Sequence, residues 1–330
     1  MKHSNISVFI PHIGCPNMCS FCNQKTISGT QTAPTADDVK KICKQAYNEI
    51  SDKKNTEIAF FGGSFTAIPR DYMTELLEAV QEFLGVNVFC GIRISTRPDC
   101  IDDEILDVLK NYGVTSIELG AQSMCDDVLM ANDRGHTSAD VERASLLIRE
   151  KGFELGLQMM VGLYKSSAEK ERETLKKIIE IKPDTLRIYP VVILKGTKLG
   201  ALFSSGEYVP MSFDEVVDLS AKILQTAENS GIRVIKCGLH ASEFVEKDML
   251  GGFYHPAFRE LCEGRIYQRE IEKIAANDCR SLTISVPEKK LSKALGHKKC
   301  NMEYFRKKGI DLKIMAEKNQ SEDLKIIERR

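Results

Sequence analysis

The sequence predicts an α/β protein: a partial (β/α)6 TIM-type barrel followed by a small C-terminal α/β domain. Short β-rich runs alternate with helical patterns over residues 1–245, which is typical of parallel strands joined by right-handed crossovers. Six such units are too few to close an eight-stranded barrel, so we expect an open one. A chain of 330 residues that is 42% hydrophobic and 28% charged has room for one large and one small domain.

The strand and helix candidates alternate in chain order. Apolar, β-branched runs predict barrel strands at residues 6–10, 57–61, 88–94, 116–119, 154–160 and 185–189, with a later, shorter strand at 232–236. Helical patterns lie between them at 36–50, 70–84, 102–111, 138–151, 167–181 and 213–230. Thr35 and Thr137 are predicted N-caps, because Asp38 and Asp140 follow at capping-box spacing. Loops after parallel strands meet at one mouth, so functional residues are expected there.

Glycine and proline residues mark the end of the barrel near residue 245. Gly251, Gly252 and Pro256 interrupt the next stretch, and a helical pattern over 256–276 predicts a helical connector at 246–281. A strand–helix–helix–strand pattern over 282–315 predicts a small domain at 282–330 with a basic tail. Residues 285–330 hold 13 Lys and Arg against 7 Asp and Glu, whereas the whole chain has a net charge of −1. This imbalance indicates a surface for a polyanion or a solvated lysine-rich face.

The sequence shows no targeting or membrane-spanning segment. No apolar run reaches the length of a membrane span, and the N-terminus leads directly into a strand-like run. We therefore expect a cytoplasmic protein with no membrane partner. The chain has 11 cysteines, and because disulfides are uncommon in a reducing compartment, metal binding or redox chemistry is expected of some of them.

The strongest motif is a cluster of three cysteines, Cys15, Cys19 and Cys22, in the loop after the first strand. Three thiolates this close can hold an iron–sulfur cluster, zinc or copper(I). A closed zinc site needs four ligands, and no fourth ligand with zinc-knuckle spacing follows nearby. On a 4Fe–4S cluster, three ligands leave one iron open for catalysis or substrate. Zinc with a distant fourth ligand, such as His12, is the alternative.

The spacing C-x3-C-x2-C, with aromatic Phe21 before the last cysteine, resembles the signature of radical S-adenosylmethionine (SAM) enzymes. Further segments of the chain agree with that superfamily in type and order: 62–65, 118–123, 132–136, 159–163 and 187–190. As one ordered pattern they resemble the radical-SAM domain of the Elongator catalytic subunit. The resemblance covers residues 5–245 and implies the radical SAM type of partial barrel.

The resemblance implies a 4Fe–4S cluster on the three cysteines and SAM bound beside it. It places the backbone of Gly62 and Gly63 near the SAM amino group, and Arg134 near the methionine carboxylate, which a guanidinium binds well. Ser95 stands where relatives often have a glutamate, so its contact with the ribose would be weaker. The full set of implied cofactor contacts is Phe21, Gly62, Gly63, Ser64, Phe65, Ser95, Gln122, Arg134, Gln158 and Met160.

The implied reaction is reductive cleavage of SAM. A low-potential donor of the flavodoxin or ferredoxin type reduces the cluster, whose potentials reach about −700 mV. The products are methionine and a 5′-deoxyadenosyl radical, which abstracts hydrogen from a substrate.

RNA, either tRNA or rRNA, is the expected substrate. The Elongator relatives modify the wobble uridine of tRNA and carry an acetyltransferase domain, which we do not expect in these 330 residues. Residues 285–315 resemble a KH domain, particularly those of NusA, with Gly296, His297, Lys298 and Lys299 in place of the GxxG loop that clamps single-stranded RNA. A KH-like fold used only for packing is the alternative.

Two other functions stay open from the sequence. One is a radical SAM enzyme that acts on a small metabolite or a porphyrinogen. The other is a non-catalytic RNA-binding protein stabilised by zinc. His240, His255 and Tyr189 are further candidates for the barrel mouth, although each residue type is also common in structural roles.

Overall fold

The computed structural model describes residues 4–11, 15, 18–23, 26, 32–86, 88–239, 242–275 and 279–330. His12 and His240, named above as candidates, lie outside these residues. The strands are β1 (Ser4–Ile10), β2 (Thr56–Gly62), β3 (Ile92–Thr96), β4 (Val114–Gln122), β5 (Glu154–Val161), β6 (Thr185–Pro190), β7 (Val192–Leu194), β8 (Arg233–Cys237), β9 (Met249–Gly252), β10 (Ser281–Pro287), β11 (Asp311–Glu317) and β12 (Lys325–Arg329). The helices are α1 (Ala36–Glu49), α2 (Arg70–Ala79), α3 (Asp103–Asn111), α4 (Asp126–Ala131), α5 (Ser138–Glu150), α6 (Ala168–Ile181), α7 (Lys198–Ser204), α8 (Phe213–Asn229), α9 (Glu243–Asp248), α10 (Phe258–Ala275), α11 (Leu291–Leu295) and α12 (Cys300–Lys307).

Seven parallel strands form the main sheet in the order β1-β2-β3-β4-β5-β6-β8. The sheet curls into an open, partial barrel with helices outside, which confirms the predicted fold class. The late strand predicted at 232–236 is β8, which pairs with β6. The third strand begins at Ile92, later than predicted, because Phe89 forms an isolated bridge with Leu84 instead.

The predicted helix caps are confirmed. Thr35 caps α1 and Thr137 caps α5, and each forms a complete capping box with the aspartate three residues later. Such caps satisfy backbone donors at the helix start and fix where each helix begins after its loop.

The C-terminal unit is a three-stranded sheet covered by helices. Its strand order is β11-β10-β12, with β10 parallel to β11 and antiparallel to β12. The predicted strand–helix–helix–strand segment is present as β10, α11, α12 and β11, and β12 adds a third strand within the predicted basic tail.

Helix α10 joins the barrel to the C-terminal unit. Phe258 and Cys262 at its start belong to the barrel core, while Ile271 and Ala275 near its end belong to the core of the C-terminal unit. The predicted connector region is therefore packed into both parts. None of the helices that the structure describes is long and apolar enough to cross a membrane.

Candidate metal and cofactor site

A cavity of about 360 Å³ lies in the carboxyl-terminal half of the barrel, and all seven strands of the main sheet contribute to its wall. It contains nearly all of the residues that the sequence predicts for the site. Those that line it are Cys15, Cys19, Phe21, Cys22, Gly62, Gly63, Ser64, Ser95, Gln122, Arg134, Gln158 and Met160. Phe65 does not line the cavity; its ring is buried and stacks on Phe60, with the ring centroids 4.8 Å apart.

The cysteine loop is held in place by contacts at Ser20. The Ser20 amide donates to the carbonyl of Asn132 at 3.1 Å, and its hydroxyl donates to the Asn132 side chain at 2.9 Å. The Ser20 carbonyl accepts from the Leu199 amide at 2.7 Å, where α7 begins. Asn132 is fully buried at the end of α4. These contacts fix the segment between Cys19 and Cys22 against two helices.

The cysteine sulfurs lie among cationic and amide donors. Arg134 Nη1 donates to Cys19 Sγ at 3.0 Å, and Arg134 Nη2 donates to the carbonyl of Gly120 at 2.7 Å. Burial raises the pKa of Cys15, while a hydrogen bond from the Ser64 backbone and the nearby guanidiniums oppose that rise. Cations and amide donors stabilise thiolates, the form of cysteine that binds metals. The surroundings of these sulfurs therefore suit a bound metal centre.

Gly62 allows the Gly-Gly segment to approach the end of β1. Its φ is +116°, and a Cβ there would lie 2.5 Å from the carbonyl oxygen of Ile10. The Gly63 amide donates to that same oxygen at 2.8 Å. Since only glycine fits this approach, the residue ties the loop after β2 to the strand that precedes the cysteines.

Ser64 connects this loop to the end of β3. Its hydroxyl is 2.8 Å from Thr96 Oγ1 and accepts from the Arg97 amide at 3.2 Å. Ser95 lines the cavity one residue earlier and makes no side-chain hydrogen bond within the described part of the chain. Its hydroxyl is therefore available to a ligand in the cavity.

Two glutamines join the ends of β4 and β5. Gln158 Nε2 donates to Gln122 Oε1 at 3.0 Å. Gln122 has a φ of +64°, which turns the chain at the end of β4. A Cβ on Gly120 would lie 2.8 Å from Gln122 Nε2 and 3.3 Å from Arg134 Nη2, so a side chain there would displace the amide of Gln122.

The sequence analysis missed Arg97 and Asn132 as site residues. Arg97 is buried and pairs with Asp99 through two hydrogen bonds of 2.9 and 2.8 Å, while its Nη1 is buried without a partner among the described residues. Arg134 Nε is also buried and has no hydrogen-bond acceptor among the described residues. Buried donors without acceptors mark a place for an anionic ligand. Asn132 lies in the segment 132–136 named above, but its contact with Ser20, 112 residues away, has no local pattern in the sequence.

A buried ion network closes the floor of the cavity. Arg93 is fully buried and donates to Glu57 at 2.7 Å, Glu118 at 3.2 Å and Glu154 at 2.7 Å. Glu118, which lines the cavity, also accepts two hydrogen bonds from Arg187. The floor is therefore rigid and nearly balanced in charge.

The lysine loop of the C-terminal unit lies beside the barrel mouth. Phe258 contacts Gly238, the residue after β8. The ring of His255, three residues before α10, is 5.2 Å from the ring of His297 between centroids. Lys298 and Lys299 are exposed, have φ of 52° and 61°, and form no ion pair with any residue that the structure describes. The loop places two free cations near the rim.

The donor set fits the group that the sequence predicts. Three soft sulfur ligands line one side of the cavity, and next to them two buried guanidiniums have nitrogens without acceptors. Thiolates select iron–sulfur clusters, zinc or copper(I), and a carboxylate-bearing ligand would supply acceptors for Arg97 Nη1 and Arg134 Nε.

Comparisons with known proteins agree with this site. The Radical SAM superfamily model matches residues 9–178, and the Radical_SAM C-terminal domain model matches residues 183–268. Elongator complex protein 3 of Saccharomyces cerevisiae is 31% identical over 188 residues, 51% of this chain and 34% of that protein. A tRNA uridine(34) acetyltransferase of Methanocaldococcus jannaschii is 35% identical over 130 residues, 38% of this chain and 24% of that protein. The chain thus spans about a third or less of these relatives.

A solved structure, the archaeal Elp3 of Methanocaldococcus infernus, superposes with a TM-score of 0.57 at 20% identity, over 74% of this chain and 61% of that one. This likeness supports the fold. The match of the superfamily model over more than half of the chain shows the family, and that family implies a 4Fe–4S cluster and SAM. The chain belongs to the radical SAM superfamily.

Proposed function

We propose that this protein is a radical SAM enzyme that modifies RNA, with Cys15, Cys19 and Cys22 as ligands of a 4Fe–4S cluster. The observation that carries the proposal is the convergence of the three sulfurs, the Gly62–Gly63 backbone and the Arg134 guanidinium on one cavity. When bound, the cluster and SAM supply a 5′-deoxyadenosyl radical that removes a hydrogen atom from the substrate.

The chain's own residues bind and orient these groups. Arg134 holds a cationic donor against Cys19 and offers its unpartnered Nε toward an anionic group such as a carboxylate. Gln122 and Gln158 present a joined pair of amides at the ends of β4 and β5, suited to hydroxyl and base edges. Phe21 and Met160 are nearly buried in the wall and exclude water from the same space.

The RNA part of the proposal is supported by the lysine loop and the similarity to tRNA-modifying relatives. The C-terminal segment is proposed to be a KH-like unit in which 296–299 replaces the GxxG loop. Lys299 stands where the second glycine would be and takes the positive φ that glycine favours there. Its side chain and that of Lys298 are free to attract phosphate.

The first experiment measures 5′-deoxyadenosine formed from SAM by the anaerobically reconstituted, reduced protein, with and without total cellular RNA. We expect product that increases with RNA. Product that is indifferent to RNA would favour a small-molecule substrate. Tight zinc occupancy and no product would favour the zinc-stabilised RNA-binding protein.

Cysteine variants separate the cluster ligands from other thiols. Cys19→Ala should lose most of the bound iron and the product. Cys90→Ala is the matched control, because Cys90 is exposed at the opposite end of the barrel, where its amide and sulfur contact the carbonyl of Thr56. Equal iron content in the two variants would contradict the assignment.

Lysine variants test the RNA loop. The variant with both Lys298→Ala and Lys299→Ala should weaken RNA binding and lower the slope of log affinity against log salt by about 0.7 for each lost phosphate contact on single strands. Lys307→Ala is the control, since that exposed lysine is paired with Glu303. Truncation is a poorer test because α10 packs into both cores. An unchanged slope would count against the loop.

A further inference from the structure

One wall of the cavity carries polar side chains to which the family resemblance gives no role. Asn5 and Ser7 on β1, Tyr189 on β6 and Lys236 on β8 line the same cavity as the cysteines. Strands β1 and β8 are the two edges of the main sheet in the described chain. The wall therefore lies where the barrel is open, the side on which a large substrate has room to enter.

The acidic groups near this wall already have partners. Arg187 donates to both carboxylate oxygens of Glu118, at 2.6 and 2.8 Å. Arg93 binds Glu57, Glu118 and Glu154 below. Each of these three carboxylates already has a cationic partner, so none is available to balance the charge of another cation.

Lys236 is such a cation. It is half-buried, it lies beside Arg187 in the register of β6 and β8, and it forms no ion pair with any residue in the described ranges. Burial lowers the pKa of Lys236, and the like charge of Arg187 adds to that effect. A half-buried ammonium beside a guanidinium gains most from an anionic partner that enters the cavity.

Two neutral groups extend the same wall. Asn5 Oδ1 is buried and has no hydrogen-bond partner among the described residues. The Tyr189 hydroxyl accepts from Arg187 Nη1 at 3.3 Å, and no described residue accepts its proton. The Tyr189 hydroxyl and the Lys236 ammonium thus offer a donor and a cation to one cavity, and neither satisfies the other.

We propose that Lys236 binds an anionic oxygen of the substrate inside the barrel, while the Tyr189 hydroxyl donates a hydrogen bond to a neutral group of the same molecule. Lys236 belongs to strand β8, whereas the cysteines and Arg134 belong to the loops that follow β1 and β4, so we assign it to the substrate and not to SAM. The inference rests on the proposed function, under which the anionic oxygen belongs to an RNA phosphate. A phosphate of a small metabolite would have the same chemistry.

The test is competitive amine labelling of the reconstituted holoenzyme with trace acetic anhydride, read out by mass spectrometry at each lysine. Labelling is compared for the protein alone, with inorganic phosphate and with total cellular tRNA. Lys176, exposed on α6, is the internal control. We expect tRNA to protect Lys236 about tenfold, the size expected for one charge-assisted contact, and to leave Lys176 unchanged.

The outcomes separate the two proposals. Protection by phosphate but not by tRNA would keep the anion site and remove the RNA substrate. A Lys236 amine that neither probe protects, or that never reacts, would overturn the inference. The RNA dependence of 5′-deoxyadenosine formation tests the proposed function independently.

Variants of Lys236 test the proposal through the RNA dependence of product formation, which a purely structural role would not change. Lys236→Met should raise the RNA concentration for half-maximal product about tenfold, and Lys236→Arg, which keeps the charge, should restore most of it. The dissociation constant for SAM, measured by equilibrium dialysis, should stay within about twofold. A loss of SAM affinity with unchanged RNA dependence would assign Lys236 to the SAM site and refute the proposal.

Discussion

The close approach of Gly62 to the end of β1 gives the sharpest test of how the cysteine loop is positioned. In a Gly62→Ala variant the new Cβ would lie 2.5 Å from the Ile10 carbonyl oxygen, 3.0 Å from its carbon and 3.1 Å from the Ile10 nitrogen. Ordinary C···O contacts are about 3.3 Å or longer, so the strand end must shift by roughly 0.8 Å. All three neighbours are backbone atoms, which cannot rotate away.

The expected decrease in the free energy of unfolding of the Gly62→Ala variant has two parts. The φ of +116° is one that alanine rarely adopts, which costs about 1–3 kcal/mol. Forcing the backbone apart adds about 1–3 kcal/mol, as in other overpacked sites. Gly196→Ala isolates the first part, because Gly196 has a φ of +71° and nothing lies within 4 Å of its added Cβ. We expect that control to lose only about 1–2 kcal/mol.

Urea unfolding of both variants at one pH measures the difference in their stability. Iron content after identical reconstitution measures how well each variant still holds the cluster. Gly62→Ala should unfold at lower urea than Gly196→Ala and should retain less iron when both are folded, because Ile10 is five residues before Cys15. If the two variants have equal midpoints and equal iron, the close approach does not position the cysteines.

Three further predictions concern buried groups. Arg93→Met removes the fully buried guanidinium that Glu57, Glu118 and Glu154 share, and should destabilise the protein by about 3–5 kcal/mol in urea unfolding, whereas Arg233→Met, at a half-exposed end of the network, should change the stability by less than about 1 kcal/mol. Asn132→Asp replaces a donor to two carbonyls with an acceptor and should cost at least about 2 kcal/mol and lower iron retention; unchanged iron would argue against its anchoring role. Burial raises the pKa of Glu171 from 4.5 to about 7, so the folded state holds a proton that the unfolded chain releases, and stability should fall by about 3 kcal/mol as pH rises from 4.5 to 7. Glu171→Gln should flatten that profile, and an equally steep profile would contradict the assignment.

Much of the barrel was predictable because each strand carries its own signal. The runs at 57–61 and 154–160 are apolar or β-branched and bounded by turn residues, and they fall within β2 and β5. Strand β12 was missed for the opposite reason. All five of its residues are exposed, so no burial pattern marks it, and it exists because β10 offers an edge for antiparallel pairing.

In the candidate site too, some residues could be predicted from local sequence patterns and others could not. The cysteine spacing and the glycine pair are local in the sequence, and the structure brings them to one cavity. The contact between Ser20 and Asn132 joins residues 112 apart, and no local pattern encodes it. Phe65 shows the limit of motif reading, since its place in the Gly-Gly-Ser-Phe segment predicts a cofactor contact while its ring packs on Phe60.

Acidic and basic side chains are distributed unevenly inside the barrel. The lumen carries acidic groups low in the barrel, where Arg93 and Arg187 neutralise them. Arg134 lies against Cys19, and Lys236, which is level with Arg187 in the strand register, has no anionic partner in the described chain. The cavity around these two residues is therefore positive until negative groups enter it. Thiolates would be drawn to Arg134, and an anionic substrate would be drawn to Lys236. Because Arg93 and Arg187 already bind Glu118, that carboxylate does not form an ion pair with Lys236.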